Sequence, residues 1–338
     1  MKNKLDLEVK DYQGGKSTLC TGCGHDNVTQ AIISGYHKSS VHPFKVAKLS
    51  GIGCSSKTPA YFLKQSHGFN SIHGRMAAVA TGAKLANRNL QIIGVSGDGD
   101  TASIGIGGFI HLIRRNVPMV YIVENNGVYG LTKGQFSATA DLNSKQKNGE
   151  INPFKELDIC ALAIEAGCEF VARSFSGDAK QLVPLIQAAI QHPGTAVIDV
   201  ISPCITYANH AGSTKSYDYV KEHKVALQDL GFISEREHAA ADYNEGDITQ
   251  IEMADGSFLT LKKLLSESHN LTDAAGALQL LHSHRNNGEI LTGLFYRNSL
   301  KKPLEQVLGL PTMPLAHMNH TELSIDKNKF QALMDAFK

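Results

Sequence analysis

The sequence lacks the features that direct a chain into or across a membrane. None of its apolar runs approaches the roughly eighteen residues of a transmembrane helix, and its N-terminus has no apolar segment typical of a signal peptide. The formal net charge is +1, which gives no electrostatic reason to expect an anionic partner. We therefore expect a cytoplasmic protein that binds neither nucleic acid nor membranes.

Internal repeats and low-complexity tracts are also absent. Apolar residues make up 42% and charged residues 19% of the 338-residue chain. This composition is typical of globular proteins and not of disordered ones. A chain of this length can bury a large core and can hold more than one domain.

One stretch of the chain carries most of the functional information. Two apolar runs, residues 91–96 and 119–123, have the character of buried parallel strands, and a helical pattern lies between them. The first run ends at the sequence GDGD and the second at NN. In a doubly wound sheet the carboxyl ends of adjacent strands meet at the ligand crevice. We therefore expect Asp98 and Asn126 to converge there.

The residue types at this crevice suit a hard cation. A carboxylate, an amide oxygen and a nearby backbone carbonyl are oxygen donors of the kind that Mg²⁺ prefers, with waters and ligand phosphates completing its octahedron. Gly97 and Gly99 allow a tight turn and a close approach of the backbone to a ligand. The alternative is a plain strand-to-helix turn with an Asp cap, followed by an Asn-Gly turn.

The surrounding sequence predicts one α/β domain over residues 18–204. Residues 1–17 are predicted to form a loose N-terminal arm. A helix is expected to begin at a cap residue, Asp26 or Asn27. The further predicted helices span residues 76–86, 153–166 and 178–191, and the further predicted strands span residues 45–49, 170–175 and 195–201.

The C-terminal part, residues 205–338, reads as an extension that contacts another subunit, and not as a second α/β domain. Its first segment is polar and aromatic, with Tyr207, Tyr217 and Tyr219, and suggests an arm over another surface. Residues 249–261 alternate around an Asp-Gly pair, which predicts a hairpin. Residues 273–285 predict a helix.

Four of the six cysteines share one setting. Cys20, Cys23, Cys54 and Cys204 lie in or just after Gly- or Pro-containing turns at the expected edge of the sheet. A C-x-x-C pair in a large chain without an export signal is more often metal-binding or redox-active than part of a disulfide framework. Four thiolates can hold a [4Fe–4S] cluster. The alternatives are a structural Cys₄ zinc site and buried apolar cysteines.

The two other cysteines, Cys160 and Cys168, lie in and just after an apolar helical segment. We expect both to be core residues, because a free cysteine commonly behaves as a small buried hydrophobe.

The motifs as a set resemble a known family. The GDG and NN pair resembles the thiamine-diphosphate motif. The segments CTGCGH, GIGCSS, HGR, GDGD, VYGLTKGQ and SPC resemble, in order over residues 18–215, the beta subunits of 2-oxoacid:ferredoxin oxidoreductases. The resemblance implies a thiamine-diphosphate-binding, doubly wound, mainly parallel α/β sheet with a C-terminal extension. It also implies that Cys20, Cys23, Cys54 and Cys204 ligate one [4Fe–4S] cluster.

The resemblance further implies which residues bind the cofactor. Mg²⁺ would be held by Asp98, Asn126 and the main-chain carbonyl of Val128. The other residues implied at the cofactor are His25, Ile52, Gly53, Cys54, Ser55, His73, Arg75, Gly97, Gly99, Asp100, Tyr129, Gly130, Leu131 and Thr132. For the two histidines and Arg75, the alternative is a local hydrogen bond or a helix cap.

The implied activity is the coenzyme A-dependent oxidative decarboxylation of a 2-oxoacid to an acyl-CoA and CO₂, with electrons passed to ferredoxin. The alternatives are a non-oxidative thiamine-diphosphate decarboxylase or synthase, and a zinc-stapled interaction protein. Thiamine enzymes need a Glu against the aminopyrimidine ring. Residues 205–338 have no second α/β series to carry it, so we expect an alpha subunit to supply it, in a heterodimer or a dimer of heterodimers.

The substrate is expected to be 2-oxoglutarate, with pyruvate or a broad range of 2-oxoacids as the alternative. A second carboxylate on the substrate calls for an additional cation. Lys57 and Lys133 both lie near cofactor loops, where each could meet a substrate carboxylate or the diphosphate. The alternative for each is a solvated lysine.

Overall fold

The fold is built on a mainly parallel β-sheet. The computed structural model describes residues 2–146, 149–210, 213–233, 248–252, 258–263 and 269–337. In these ranges the main sheet has the strand order β2-β1-β3-β4-β8-β7-β13-β9. Its strands are β1 Val46–Ser50, β2 His67–Asn70, β3 Gln91–Gly97, β4 Met119–Asn125, β7 Phe170–Phe175, β8 Thr195–Ile201, β9 Lys224–Ala226 and β13 Ile290–Arg297.

The strand order confirms the predicted doubly wound architecture. β1, β2, β3, β4, β8 and β7 are all parallel, whereas β13 runs antiparallel to β7. The chain reverses its winding direction between the adjacent strands β1 and β3, since β2 lies on one side of β1 and β3 on the other. The carboxyl end of β3, with β4 beside it, therefore opens at the point where such sheets bind ligands.

Helices cover both faces of the sheet, because its central strands are apolar on both sides. α1 and α5 pack on one face over Ile32, Ile93 and Ile186, and α2, α3, α4 and α7 pack on the other over Met76, Phe109 and Cys160. In the described ranges the helices are α1 Gly24–Lys38, α2 Met76–Ala86, α3 Ile106–Arg114, α4 Ile159–Glu165, α5 Ala179–Gln191, α6 Tyr217–His223, α7 Ala274–Asn286, α8 Leu304–Val307, α9 His320–Leu323 and α10 Lys327–Asp335. None of the helices in this described part is long and apolar enough to cross a membrane.

Three local predictions are wrong. The N-terminal arm is packed, not loose, since Tyr12 is fully buried in the core beside α1. α1 begins at Gly24 after an extended Cys23, so Asp26 lies in its first turn, where a negative charge suits the helix dipole. α4 begins at Ile159 and not at residue 153, because the Asn152 side chain hydrogen-bonds the backbone of its own loop and Asp158 supplies the N-cap.

The C-terminal part adds strands to the main sheet. β13 pairs with β7, and β9 pairs with β13, so the sheet does not end at residue 204, although the domain boundary there stays a prediction. β11 Ile248–Glu252 pairs antiparallel with β12 Phe258–Lys263, which confirms the hairpin strands; the Asp-Gly turn lies outside the described residues. β10 Gln228–Ile233 completes this small sheet. Within the loop after β4, β5 Val128–Tyr129 pairs antiparallel with β6 Gln135–Phe136.

The aromatic arm after residue 204 lies over its own chain. The Tyr207 ring packs against Gly134, the Tyr217 hydroxyl donates to the carbonyl of Gly22, and the Tyr219 hydroxyl donates to the carbonyl of Gly288. These contacts hold the arm across the loops at the carboxyl edge of the sheet. A contact between the C-terminal part and another subunit stays a prediction.

Candidate functional site

The ends of β3 and β4 bring Asp98 and Asn126 together. The pairing of Gly97 with Glu124 places the residues that follow each strand side by side. The backbone N–H of Asn126 lies 3.5 Å from Asp98 Oδ1, and both side chains are buried. The side-chain oxygen of Asn126 accepts a hydrogen bond from the backbone N–H of Val128, at 3.1 Å. We call Asp98, Asn126 and Val128 the carboxylate site.

Three donors hold one oxygen of the Asp98 carboxylate. Oδ2 accepts hydrogen bonds from the Ser137 hydroxyl, from the Thr139 hydroxyl at 2.5 Å and from the backbone N–H of Gly127 at 3.1 Å. Burial raises the pKa of Asp98, and the hydrogen bonds from Ser137 and Thr139 oppose that rise, as does the charge of Lys215. The arrangement suits a carboxylate that stays ionised to hold a cation.

The glycines of the GDG turn are required by close packing. A Cβ on Gly99 would lie 2.5 Å from the ring of Tyr129, whose hydroxyl donates to the carbonyl of Gly99 at 2.9 Å. A Cβ on Gly97 would lie 3.1 Å from the hydroxyl of Ser55. The GIGCSS loop, the GDG turn and the VYG loop therefore meet, as the resemblance implies.

Asp100 ties the HGR segment to this turn. Its carboxylate accepts a hydrogen bond from the backbone N–H of Gly74 at 2.7 Å and from the Ser96 hydroxyl at 2.9 Å. These bonds position His73 and Arg75, whose side chains are exposed. The carboxylate of Asp100 is thus engaged within the chain, whereas His73 and Arg75 are accessible to a ligand.

The loop after β4 contains strained backbone. Gly127 has a φ of 75° and Gly134 a φ of 95°, and Lys133 has a φ of 82° despite its side chain. A non-glycine residue in this region costs energy that the surrounding structure must offset. Leu131, Thr132 and Lys133 are exposed.

The two candidate substrate lysines lie in different places. Lys133 lines a cavity of about 140 Å³ together with Asn126 and Val128. Lys57 lines a separate cleft of about 640 Å³ together with Lys48. Lys133 therefore shares a cavity with the carboxylate site, and Lys57 does not line that cavity.

Three turns bring Cys20, Cys23, Cys54 and Cys204 together, and we call these residues the thiol site. The backbone N–H of Gly24 donates to the carbonyl of Pro203 at 3.3 Å, which joins the CTGC turn to the SPC turn. A Cβ on Gly130 would lie 3.6 Å from the sulfur of Cys54 and equally far from that of Cys204.

The thiols interact electrostatically. Burial is the main cause that raises the pKa of Cys23 to about 12; a backbone hydrogen bond from His25 opposes the rise, and Glu124, Cys204 and Cys54 contribute to it. Burial also raises the pKa of Cys54. No three His, Cys, Asp or Glu side chains in the described ranges are close enough to share one metal ion. A [4Fe–4S] cluster holds each of its four ligands on a different iron, so it suits thiols that face one space without touching.

Cys160 and Cys168 are core residues, as predicted. Both are buried, and their thiols contact the backbone carbonyls of Ala172 and Thr195. Burial raises the pKa of Cys168 to about 12. These thiols are separate from the thiol site.

A buried pair between the two sites was not predicted. Glu124, the last residue but one of β4, is fully buried and accepts a hydrogen bond from the Thr58 hydroxyl at about 3.1 Å. The Nδ1 atom of His25 lies 3.7 Å from the Glu124 carboxylate and 2.6 Å from the Ser202 hydroxyl. Burial lowers the pKa of His25 to about 4 and raises that of Glu124 well above its usual value.

Sequence reasoning also missed Ser137, Thr139 and Lys215. The hydroxyls lie in a loop without periodicity, where no pattern separates a ligand-orienting serine from a solvated one. Lys215 pairs with Asp141 at 2.9 Å and lines the same cavity as Lys133. A run of Ser and Thr shortly after the NN motif is the signal that could have drawn attention to the two hydroxyls.

Comparisons with known proteins agree with this geometry. Residues 51–200 match the family model of the thiamine pyrophosphate enzyme C-terminal TPP-binding domain. The beta subunit of a 2-oxoacid:ferredoxin oxidoreductase from Saccharolobus solfataricus is 44% identical over 206 residues, which are 59% of this chain and 65% of that protein. The chain thus spans just under two thirds of that relative.

Two further matches cover a larger share of the matched protein. The 2-oxoglutarate synthase subunit KorB of Methanocaldococcus jannaschii is 36% identical over 224 residues, which are 65% of this chain and 82% of that protein. A solved 2-oxoglutarate:ferredoxin oxidoreductase from Magnetococcus marinus, with 2-oxoglutarate, coenzyme A and succinyl-CoA bound, has a TM-score of 0.76 and 28% identity, and covers 97% of this chain and 96% of that one. This chain belongs to the family of 2-oxoacid:ferredoxin oxidoreductase beta subunits.

Proposed function

We propose that the chain is the thiamine-diphosphate-binding and iron–sulfur subunit of an enzyme that oxidises a 2-oxoacid. The reaction joins the acyl group to coenzyme A, releases CO₂ and passes two electrons to ferredoxin. One observation carries the proposal: an oxygen-donor site and four cysteines meet at the same edge of the sheet, joined by Gly130 and the GIGCSS loop. A non-oxidative thiamine enzyme needs the first site but has no use for the second.

The residues of the carboxylate site fit Mg²⁺. Asp98 Oδ1 remains available because the three donors lie on Oδ2, and the side-chain oxygen of Asn126 and the Val128 carbonyl are further hard donors. They would hold the metal and, through it, the cofactor's diphosphate. Thiamine diphosphate, when bound, supplies the carbon nucleophile and the electron sink for decarboxylation.

The residues of the thiol site fit a [4Fe–4S] cluster. Cys23 is buried and Cys54 and Cys204 are partly buried, whereas Cys20 is exposed. Cys20 would therefore ligate the cluster on its solvent-facing side, which faces an external electron acceptor. Ligation would also replace the thiol protons, which burial otherwise keeps on the sulfur of Cys23.

The chain is proposed to need an alpha subunit. Glu124 is near the site, but its carboxylate is fully buried and held by Thr58 at the end of β4. It is thus not presented to an aminopyrimidine ring that must lie in an open crevice. We propose that the activating Glu comes from the alpha subunit.

The substrate is proposed to be 2-oxoglutarate. Lys133 lines the cavity beside the carboxylate site, where its ammonium can reach a second substrate carboxylate. The names of the relatives from M. jannaschii and M. marinus give 2-oxoglutarate, which supports this choice. The Saccharolobus relative carries the broader name 2-oxoacid, which favours a wider substrate range as the second candidate.

An anaerobic preparation of the chain tests the proposal. We expect broad visible absorbance near the blue edge, about four iron and four sulfide per chain, and thiamine diphosphate bound with Mg²⁺. Zinc without sulfide would contradict it in favour of a structural zinc site, and bound thiamine diphosphate without iron would favour a non-oxidative enzyme. Reduction of ferredoxin by 2-oxoglutarate and coenzyme A is expected once the alpha subunit is added, whereas full turnover by the isolated chain would contradict the missing Glu.

A further inference from the structure

We infer that Thr139, with Ser137, is a positioning residue that turns one oxygen of Asp98 toward the metal. The inference rests on the proposed function of the carboxylate site. Neither hydroxyl is near Asp98 in sequence, since they lie 41 and 39 residues after it. Both are nevertheless buried against its carboxylate.

The first observation is the asymmetry of the Asp98 carboxylate. Oδ2 accepts from both hydroxyls and from the backbone N–H of Gly127. In the part of the chain that the structure describes, the hydrogen bond found at Oδ1 is the 3.5 Å contact with the N–H of Asn126, which is at the limit of hydrogen-bond length. One oxygen is thus saturated by the protein and the other keeps its lone pairs for a cation.

The second observation is that the two hydroxyls are themselves fixed. Ser137 Oγ lies 3.0 Å from Thr139 Oγ1 and accepts the backbone N–H of Thr139 at 3.2 Å. Thr139 is 1% exposed and Ser137 is 6% exposed. A buried hydroxyl pair of this kind has little freedom to turn, so it orients the carboxylate instead of following it.

A second layer of polar side chains lies next to Thr139. Its hydroxyl is 3.0 Å from the side-chain oxygen of Asn125, but its single proton goes to the nearer, charged Asp98, and the Asn125 amide donates to Asp199 at 3.0 Å. Arg173 pairs with Asp199 at 2.8 Å and with Asp158 at 2.7 Å. These side-chain contacts extend across β4, β8 and β7. They tie the loop that carries Thr139 to the edge of the sheet.

The chemistry follows from these contacts. Three donors on Oδ2 stabilise the ionised carboxylate against burial, and they fix the plane in which Oδ1 points. Loss of an outer hydrogen bond to a metal ligand typically lowers metal affinity about 10- to 100-fold. Thr139→Val removes the hydroxyl at nearly constant shape, so it isolates this effect from packing.

The test measures Mn²⁺ binding in the presence of thiamine diphosphate by electron paramagnetic resonance, on the chain co-expressed with the proposed alpha subunit. We expect Thr139→Val to raise the Mn²⁺ dissociation constant about 10- to 100-fold and to alter the bound spectrum. Thr139→Ser restores the hydroxyl and is expected to restore both. Ser137→Ala is expected to weaken binding in the same direction.

Thr195→Val is the matched control. Thr195 is also fully buried, and its hydroxyl donates to the Val117 carbonyl at 2.7 Å, but it lies at the opposite end of β8. It is expected to keep wild-type Mn²⁺ affinity. Unchanged Mn²⁺ affinity in Thr139→Val and in Ser137→Ala, with both variants folded, would overturn this inference but not the proposed function. Wild-type complex that binds no Mn²⁺ with thiamine diphosphate would overturn the proposed function and this inference with it.

Discussion

The carboxylate site and the thiol site share one edge of the sheet, but the protein prepares them differently. Burial raises the pKa of Asp98 and of Cys23 alike. At Asp98, hydrogen bonds from Ser137 and Thr139 offset part of that cost, whereas at Cys23 a backbone hydrogen bond offsets part of it and Glu124 and the neighbouring thiols add to it. The comparison teaches that the chain arranges the carboxylate site in advance, whereas under the proposed function the thiol site needs its cluster to hold four thiolates together.

The largest expected effect is at the thiol site. Cys54→Ala removes one cluster ligand where no preformed hydrogen-bond network compensates, so we expect complete loss of the cluster and of ferredoxin reduction. Iron and sulfide analysis of the anaerobically purified variant measures this. Cys168→Ala is the control, since its thiol lies in the core, and it should keep both. Equal iron content in the two variants would disprove the cluster assignment.

The next effect is at the carboxylate site. Asp98→Ala should weaken binding of thiamine diphosphate with Mg²⁺ by more than the roughly 100-fold typical of outer-shell changes, because it deletes a ligand. The fold should survive, since Ser137 and Thr139 can hydrogen-bond each other, with a loss of about 1–3 kcal/mol in the free energy of unfolding. Calorimetric titration and thermal unfolding measure the two quantities. Retained cofactor affinity would remove Asp98 from the site.

Substitutions at Gly130 test whether the carboxylate site and the thiol site meet at this residue. An Ala Cβ there would make ordinary contact, at 3.6 Å, with the sulfurs of Cys54 and Cys204, so Gly130→Ala should keep its iron. The branches of Gly130→Val reach between the sulfurs and should lower iron content, with less effect on Mg²⁺ binding. Iron retained in the valine variant would show that the cluster does not occupy this space.

The smallest effect concerns the two lysines. Lys133→Ala should raise the KM for 2-oxoglutarate about 10- to 100-fold more than for pyruvate, as expected for a charge-assisted contact of about 1.5–3 kcal/mol. Lys57→Ala should change the two KM values less, because Lys57 lines a different cleft. Steady-state kinetics of both variants with both acids measures this. A larger change for Lys57→Ala would reverse the assignment.

Much of the fold could be predicted from the sequence. The strands at residues 91–97, 119–125, 170–175 and 195–201 follow the predicted ranges within a residue or two, because parallel strands buried on both faces appear as continuous apolar runs. The convergence of Asp98 and Asn126 followed from sheet topology. The prediction of a helix from residue 153 was wrong, since side-chain hydrogen bonds from Asn152 outweigh the helical pattern of the segment before α4.

By itself the sequence determined the order of the elements and the turns that carry the candidate ligands, because these depend on local periodicity and on motif chemistry. The tertiary structure decided which side chains share a site. It placed Lys133 and not Lys57 in the cavity of Asn126, buried Glu124 beside His25, and set Ser137 and Thr139 against Asp98. Contacts between residues so far apart in the chain depend on crossover paths and loop packing, which leave no periodic signal in the sequence.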